Sequence, residues 1–434
     1  MKKILLLVSL FFTAVLANAQ NPAPANAQTR SITLFGGTIH TATGRVIEKG
    51  YISFDKGLIT SIGDAATVRL NANETEIVNV AGKHIYPGII SPASLVGLQE
   101  VASVRATVDS RETGVLNPNV RALIAYNTDS EVIPTIRNNG ILITQAMPMG
   151  GTVSGSSSIM HTDGWNWEDA VLKKDDGLWL DWPGYFAREF NFEDFSVNIT
   201  KNSKRDEGIR AVQTTFAEAK AYADILNPTP VNLKLEAMRG LFRGTQNLYI
   251  RADYGKDIIE AVRWTKSAGV PKVVIVGGEE ANRVADFLKE NNVPVLLSAL
   301  HRLPNRQDEA VDLPYRMPGI LQKAGVLVGL TYAEEWWRTR NLPFLAGTAA
   351  GFGVTDREEA LKMVTANTAK ILGIDAQVGT LEAGKQATLF VSAGDALDMR
   401  TNVIEHAYIQ GRKVNLDDKH KRLNTIYKQK YGQK

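Results

Sequence analysis

The chain has no cysteine in 434 residues. Disulfides, thiolate nucleophiles and cysteine-bound zinc or iron–sulfur centres are thereby excluded. Histidine is nearly as scarce, limited to His40, His84, His161, His301, His406 and His420, so any imidazole chemistry must come from that short set. A surplus of charge is missing too. The formal net charge is +3, with Lys2 and Lys3 contributing at the extreme N-terminus. The rest of the chain is close to neutral, which argues against the clustered basic face that nucleic acid requires. Beyond the N-terminus no run is apolar enough to cross a bilayer, which takes ~20 residues. What is present is ordinary globular composition, 44% hydrophobic and 22% charged, sufficient for a core of normal size.

The first residues carry the pattern of an export signal. Met1-Lys2-Lys3 is a positive start, Ile4 to Leu16 an apolar stretch, and Ala17-Asn18-Ala19 fits the small-x-small cleavage rule. The expectation is a signal peptide over 1–19, cleavage near Ala19, and an exported periplasmic or extracellular protein. Residues 20–30, rich in Pro, Ala and Asn, read as a disordered linker.

From Ile32 the pattern is short alternating strands separated by turn residues such as Gly36-Gly37 and Asp55-Lys56-Gly57, predicting a small β-module of hairpins. Residues 86–372 differ. Short apolar strands alternate with longer amphipathic stretches: strands at 141–146, 247–252, 272–276, 294–298 and 326–330, and helices at 131–138, 256–268, 279–291 and 356–372. Thr355 is the expected N-cap of the last helix, with Glu358 three residues on as in a capping box. This repetition predicts a (β/α)8 barrel of the TIM type. After Gly373 the chain returns to β character through 387–391 and 403–409. Segments 31–85 and 373–416 are therefore expected to pair into one composite β-sandwich flanking the barrel, followed by a basic polar tail or solvated helix over 417–434.

Three stretches carry a resemblance. Residues 36–40 (GGTIH) with 58–62 (LITSI), residues 86–90 (YPGII), and residues 341–395, including Thr365-Ala-Asn-Thr-Ala-Lys370 and Gly379-Thr-Leu-Glu-Ala-Gly-Lys385, resemble the amidohydrolase superfamily. The subgroup they resemble most is imidazolonepropionase-like. The resemblance implies a sandwich-flanked barrel and hydrolysis of non-peptide C–N bonds. It also implies a divalent metal that lowers the pKa of a bound water and polarises a carbonyl. Family members hold that metal with His-x-His on barrel strand 1, histidines on strands 5 and 6, and an aspartate on strand 8.

This chain departs from the pattern at each place. Ala93 and Leu95 fall on the strand-1 histidines, Arg251 and Asp253 on strand-5 positions, Gly277 on the strand-6 histidine and Ala333 on the strand-8 aspartate. Alanine, leucine and glycine side chains donate nothing to a cation. None of the histidines falls near these strand ends in the sequence, and His40, His84 and His161 are too scattered to form a ligand set. The expectation is no cofactor. The alternative is an all-carboxylate site at the barrel mouth from Asp253, Glu279, Glu280, Glu334 and Glu335, suited to Mg²⁺, Ca²⁺ or Mn²⁺. Glu279 and Glu280 equally read as helix-opening acids. Arg251 and Asp253, on one face of a strand, are expected to form an internal salt bridge in place of a metal.

Other features admit both a structural and a functional reading. Ser154-Gly155-Ser156-Ser157-Ser158 reads as a flexible loop over the barrel mouth; Ser156 as a nucleophile would need a base such as His161 within hydrogen-bond reach. Trp336 and Trp337, with Arg338, suit a pocket lining or an oligomer contact equally. Trp165, Trp167, Trp179 and Trp182 with Tyr185 and Phe186 read as an aromatic mini-core of an insertion, or as a ring-binding platform.

Two functions remain open. The first is a secreted pseudoenzyme without the metal-dependent activity, either a ligand-binding protein or a subunit partnering itself or an active amidohydrolase. The second is a working hydrolase on C–N bonds of cyclic or linear amides, using a rebuilt carboxylate site with Arg251, Asp253 and Glu334 as candidates. The ligand is a small molecule of unknown identity in either case, with no nucleic acid and no membrane insertion.

Overall fold

The computed structural model describes residues 24–433 apart from 192–196, 299, 305–307, 334 and 355. The signal-peptide segment 1–19, the first linker residues, Glu334 and Thr355 lie outside the described residues.

Strands β1 (Ser31–His40), β2 (Val46–Asp55), β3 (Leu58–Asp64), β4 (Thr75–Asn79) and β5 (His84–Pro87) form the N-terminal half of one sheet. The barrel strands follow: β6 (Ile89–Ser94), β7 (Ile141–Ala146), β8 (Val153–His161) and β9 (Val171–Asp181). A separate hairpin, β10 (Phe186–Phe190) and β11 (Val197–Lys201), interrupts them. The barrel resumes with β12 (Asn247–Ala252), β13 (Val273–Gly277), β14 (Val295–Ser298) and β15 (Val328–Thr331). Strands β16 (Leu389–Ser392), β17 (Ile404–Ile409) and β18 (Arg412–Lys413) end the β structure.

The flanking sheet runs β18-β17-β16-β5-β1-β2-β3, with β4 added on β1. Its centre is the antiparallel pairing of β16 with β5, which joins the two ends of the chain into the composite module expected from the sequence. Alternation places Leu34, Ile52, Phe54, Ile85, Leu389 and Tyr408 in its own core. Gly88, between β5 and β6, is where the chain passes from this module into the barrel, its N–H donating to the Thr388 carbonyl at 2.9 Å.

The barrel sheet holds eight strands in the order β6-β7-β8-β9-β12-β13-β14-β15, a nearly closed TIM-like barrel. The first and last strands are tied by Thr331 Oγ1 donating to the Pro92 carbonyl at 2.6 Å. The regular βα repeat breaks at one place. Strand β8 pairs antiparallel with both β7 and β9, so β7-β8-β9 is a meander rather than two βα units. The segment read as a flexible serine loop is this reversed strand, and it is buried throughout. Small hydroxyl side chains let it run between two strands with little side-chain bulk.

The long helix Arg205–Ala223, Leu233–Phe242 and Gly255–Ala268 cover the later strands. Their apolar faces, with Val212, Phe216, Met238, Leu241, Ile258 and Val262 fully buried or nearly so, pack on the outside of the sheet. The last predicted helix is two, Arg357–Lys362 and Ala366–Leu372. Asp356 caps the first, accepting from Glu359 N–H at 2.8 Å, where the sequence had pointed to Thr355. Residues 281–290, expected as part of one helix, are a 3₁₀ turn followed by Ala285–Glu290.

The described part of the expected linker is held down. Ala25 N–H donates to the Asp163 carboxylate at 3.2 Å, and the Gln28 amide donates to the Phe54 carbonyl at 2.9 Å. The C-terminal helix Lys419–Lys430 begins at Asp418, which accepts from Lys421 N–H at 2.7 Å, and buries none of its residues. Among the described residues no helix is long and apolar enough to cross a membrane.

Candidate functional site at the barrel mouth

The C-terminal ends of barrel strands, with the turns that follow, normally form the reaction centre of this architecture. Here those ends carry Ala93, Asp181, Arg251, Gly277 and Thr331. Strand periodicity aims alternate residues inward, and β9 and β12 run in parallel register with Tyr249 beside Trp179 and Arg251 beside Asp181. Trp179 and Tyr249 stack with centroids 4.8 Å apart, both fully buried in the barrel.

Above that stack lies Arg251. Its Nη1 donates to both Asp181 carboxylate oxygens, at 2.7 and 2.9 Å, and its Nη2 to the Pro148 carbonyl at 2.8 Å. The guanidinium carbon stands 5.0 Å from the Trp179 ring centroid, a cation–π arrangement. The expected Arg251–Asp253 bridge is therefore replaced by Arg251–Asp181. Register explains the change: the neighbour of Arg251 across the sheet is Asp181, whereas Asp253 lies past the end of β12. The Asp253 carboxylate leans over Gly277, where an added Cβ would sit 2.4 Å from Asp253 Oδ1. Gly277 also has φ +101°, so a histidine there would need both a strained backbone and a displaced Asp253.

Ala93 and Leu95 are buried in the same inward cluster as Met147, Met149, Trp179 and Trp336. Ala93 N–H donates to Gln145 Oε1 at 2.9 Å. Ala93 and Ala333 both hold left-handed backbones, with φ +50° and +47°. Such strain in a non-glycine residue costs of order 1–3 kcal/mol and concentrates at functional sites. Two positions that resemble family ligands thus keep a special backbone while carrying only a methyl group.

Deeper in the barrel is a polar cluster that sequence reasoning missed. Asp176 is buried and accepts from Tyr249 Oη at 2.6 Å, Gln145 Nε2 at 2.9 Å and Ser157 Oγ at 2.8 Å. Burial pushes its carboxyl pKa up, and these hydrogen bonds pull in the other direction. Burial first, and then the Asp176 charge, push the Tyr249 phenol well up. The only available signal was the charged run Lys173-Lys174-Asp175-Asp176 directly before the apolar end of a strand. Ser157 belongs to this cluster. Ser156 does not meet His161, because five residues of extended strand separate them by roughly 16 Å. His161 is fully buried, its ring nitrogens lack hydrogen-bond partners, and burial lowers its pKa to about 4.

The fold brings histidines closer to other groups than their sequence spacing suggests. His301 does approach the rim: its Nδ1 lies 3.4 Å from the hydroxyl of Tyr332, just beyond β15, and its Nε2 lies 2.8 Å from Thr348 Oγ1. Those partners draw it toward the helix Leu342–Gly351 and away from the barrel axis. His40 and His84, far apart in sequence, meet at 3.0 Å where the flanking sheet faces the barrel, and His40 Nδ1 lies 2.5 Å from Glu358 Oε1.

Among the described residues, the acids expected at the mouth do not converge as one set. Glu280 accepts from Gly255 N–H at 2.9 Å, capping a neighbouring helix, and Glu335 faces Arg338 at 3.4 Å. Glu279 lines a small crevice with Arg302 and Met317. Among the described residues no group of three or more His, Cys, Asp or Glu is placed to hold a metal ion. The tryptophans also separate. Trp179 is in the barrel, Trp182 packs on Trp264 at 5.4 Å, Trp165 is 69% exposed, and Tyr185 lies under Arg205 and Lys256. Trp336 is buried at the mouth and Trp337 is half exposed.

With this geometry in view, the comparisons are direct. The amidohydrolase family profile matches residues 255–415. A crystal structure of an amidohydrolase from Thermotoga maritima MSB8 superposes with a TM-score of 0.76 at 25% identity, covering 88% of this chain and 99% of that one. Residues 255–415 thus match the amidohydrolase family, and the fold as a whole is similar to that of solved amidohydrolases. A putative prolidase from Bifidobacterium longum shares the fold at 16% identity and a TM-score of 0.53, over 93% of this chain and 99% of its own. An adenosine deaminase from Xanthomonas campestris with bound zinc does so at 13% identity and a TM-score of 0.50, over 94% and 98%. A sequence relative, amidohydrolase tasK of Hapsidospora irregularis, is 35% identical over 126 residues, which is 26% of this chain and 12% of that much longer protein.

The metal implied by this superfamily does not fit the residues present. At the places the resemblance assigns to its ligands stand a methyl group, an isobutyl group, a guanidinium, the Asp253 carboxylate, a glycine and a second methyl, so one potential donor remains where several are needed. A fixed cation, Arg251, is already paired with the nearby carboxylate Asp181.

Proposed function

We propose that this amidohydrolase-family protein is an exported, non-hydrolytic member that binds a small carbonyl- or carboxylate-bearing molecule at the barrel mouth. The observation that carries the reading is the Arg251–Asp181 pair seated over Trp179. A guanidinium at that place repels a divalent cation and offers hydrogen bonds to oxygen acceptors. The surroundings are of the same kind: Arg251 Nε, Trp179 Nε1 and Trp336 Nε1 are buried donors without a partner. Unsatisfied buried donors cost of order 1–3 kcal/mol each, and a ligand rich in acceptor oxygens would relieve that cost. In this reading Arg251 and the indoles orient the ligand, Asp181 holds the guanidinium in place, and no described residue at the mouth serves to activate water.

The test is elemental analysis of the purified protein together with native mass spectrometry. The expected result is less than stoichiometric zinc or manganese, and a bound small molecule that Arg251→Met releases. Stoichiometric metal, removed by a chelator with loss of amide hydrolysis, would overturn the reading in favour of a rebuilt hydrolase. Stable co-purification with a second amidohydrolase, without a bound small molecule, would replace it by the partner-subunit role. Export predicts a mature N-terminus near Gln20 in the periplasmic fraction, readable by N-terminal sequencing.

A further inference from the structure

The opposite end of the barrel holds a second feature. The N-terminal ends of β12, β13, β14 and β15 surround a cavity of about 620 Å³ into which Lys173, Lys272, Lys289 and Lys370 are gathered. Its lining includes no aspartate or glutamate. Lys272, Lys289 and Lys370 are exposed, and Lys173 is half-buried. The rest of the wall is polar at Thr245, Asn247 and Asn292, and apolar at Leu288, Val326 and Ile371.

A structural role accounts for Lys173 alone. Its Nζ donates to the Leu372 carbonyl at 2.9 Å, at the C-terminal end of the helix Ala366–Leu372. Burial lowers its pKa, Asp176 and Asp375 oppose that, and Lys272 adds to it. Lys289 and Lys370 sit in the last turns of their helices, where a cation is favoured, but none of the outer lysines faces a carboxylate in the cavity lining. Lys289 lies across Gly325, where an added Cβ would stand 3.2 Å from its Nζ. Like charges gathered around one cavity repel each other, and that repulsion is released when an anion enters.

We propose that this cavity is a binding site for a phosphoryl dianion, separate from the barrel mouth and independent of what the mouth binds. The geometry favours phosphate over carboxylate. Ammonium groups act as point charges without a preferred plane, which suits a tetrahedral oxyanion, whereas planar carboxylates are matched by the arginine fork. The volume exceeds what one phosphate fills, and the apolar wall has room for an organic body attached to it.

Isothermal titration calorimetry on the full chain, at constant ionic strength, tests this with inorganic phosphate, glucose 6-phosphate, glucose and succinate. The expected result is saturable binding of at least one phosphate compound, weakened at least about tenfold in Lys272→Gln/Lys289→Gln. The tighter phosphate arm then tells free phosphate from a phosphate ester. No saturable binding of either phosphate, equal binding by the double variant, or succinate binding as tightly as phosphate would each overturn the proposal. Both replaced lysines are exposed, so the variant is expected to melt at or slightly above the parent midpoint, and circular dichroism melting confirms that it is folded.

Discussion

At the mouth of the barrel the Arg251 guanidinium is matched by Asp181, braced by the Pro148 carbonyl and laid over Trp179, whereas at the floor Lys272, Lys289 and Lys370 share a cavity whose lining has no carboxylate. The mouth is surrounded by Ala93, Leu95, Met147 and Met149, all buried. The floor is open and wet. The same eight strands thus present a compensated charge in an apolar setting at one end and uncompensated charges in solvent at the other. Burial accounts for the contrast: a charge taken out of water must be paired or it destabilises the fold, while exposed ammonium groups stay hydrated and lose little by being close together.

The contrast can be tested by disturbing each end in turn. The largest effect is expected at the mouth from Trp179→Ala, which removes the fully buried ring under Arg251 and beside Tyr249. It should destabilise the protein by about 3–5 kcal/mol, measured by urea denaturation. A loss below about 1 kcal/mol would mean that the mouth is not packed as described.

The next effect belongs to His161, at the floor end of the reversed strand β8. Its folded pKa of about 4 lies below the ordinary 6.5. The unfolded chain therefore binds the proton more readily between those values. This histidine contributes stability that is fully present above pH 6.5 and is lost as pH falls toward 4, at most about 3 kcal/mol. His161→Leu should flatten the stability profile of the parent across that window. Parallel profiles for parent and variant would show that the imidazole is not buried in its neutral form.

A smaller change is expected from Ala333→Gly at the mouth. Releasing the left-handed strain of an alanine should raise stability by about 0.5–1 kcal/mol, after the entropy cost of glycine. A loss of stability would mean that the methyl packing outweighs the backbone strain. The smallest effect is Lys272→Gln at the floor. Removing one like charge should raise the stability slightly, by about a few tenths of a kcal/mol, and only at low salt. A destabilisation that persists at high salt would refute uncompensated repulsion there.

The barrel and the composite flanking module were legible because periodicity, turn residues and family spacing are local or ordered signals. The reversed strand β8 was not legible. Its serines match loop composition, and only their placement between β7 and β9 shows why small side chains run through a buried sheet. The Arg251 partner was misread for a related reason. Adjacency along a strand suggested Asp253, but the register between β9 and β12 put Asp181 beside it.

The sequence alone determined that thiolate catalysis and disulfides are absent, since no fold can supply a cysteine that the chain does not encode. Only the tertiary structure decided which of the remaining groups meet. Asp176 with Tyr249, Arg251 with Asp181, and the lysines around the floor cavity are brought together by strand register and barrel closure, and contacts between residues far apart in the chain are fixed by packing rather than by local pattern.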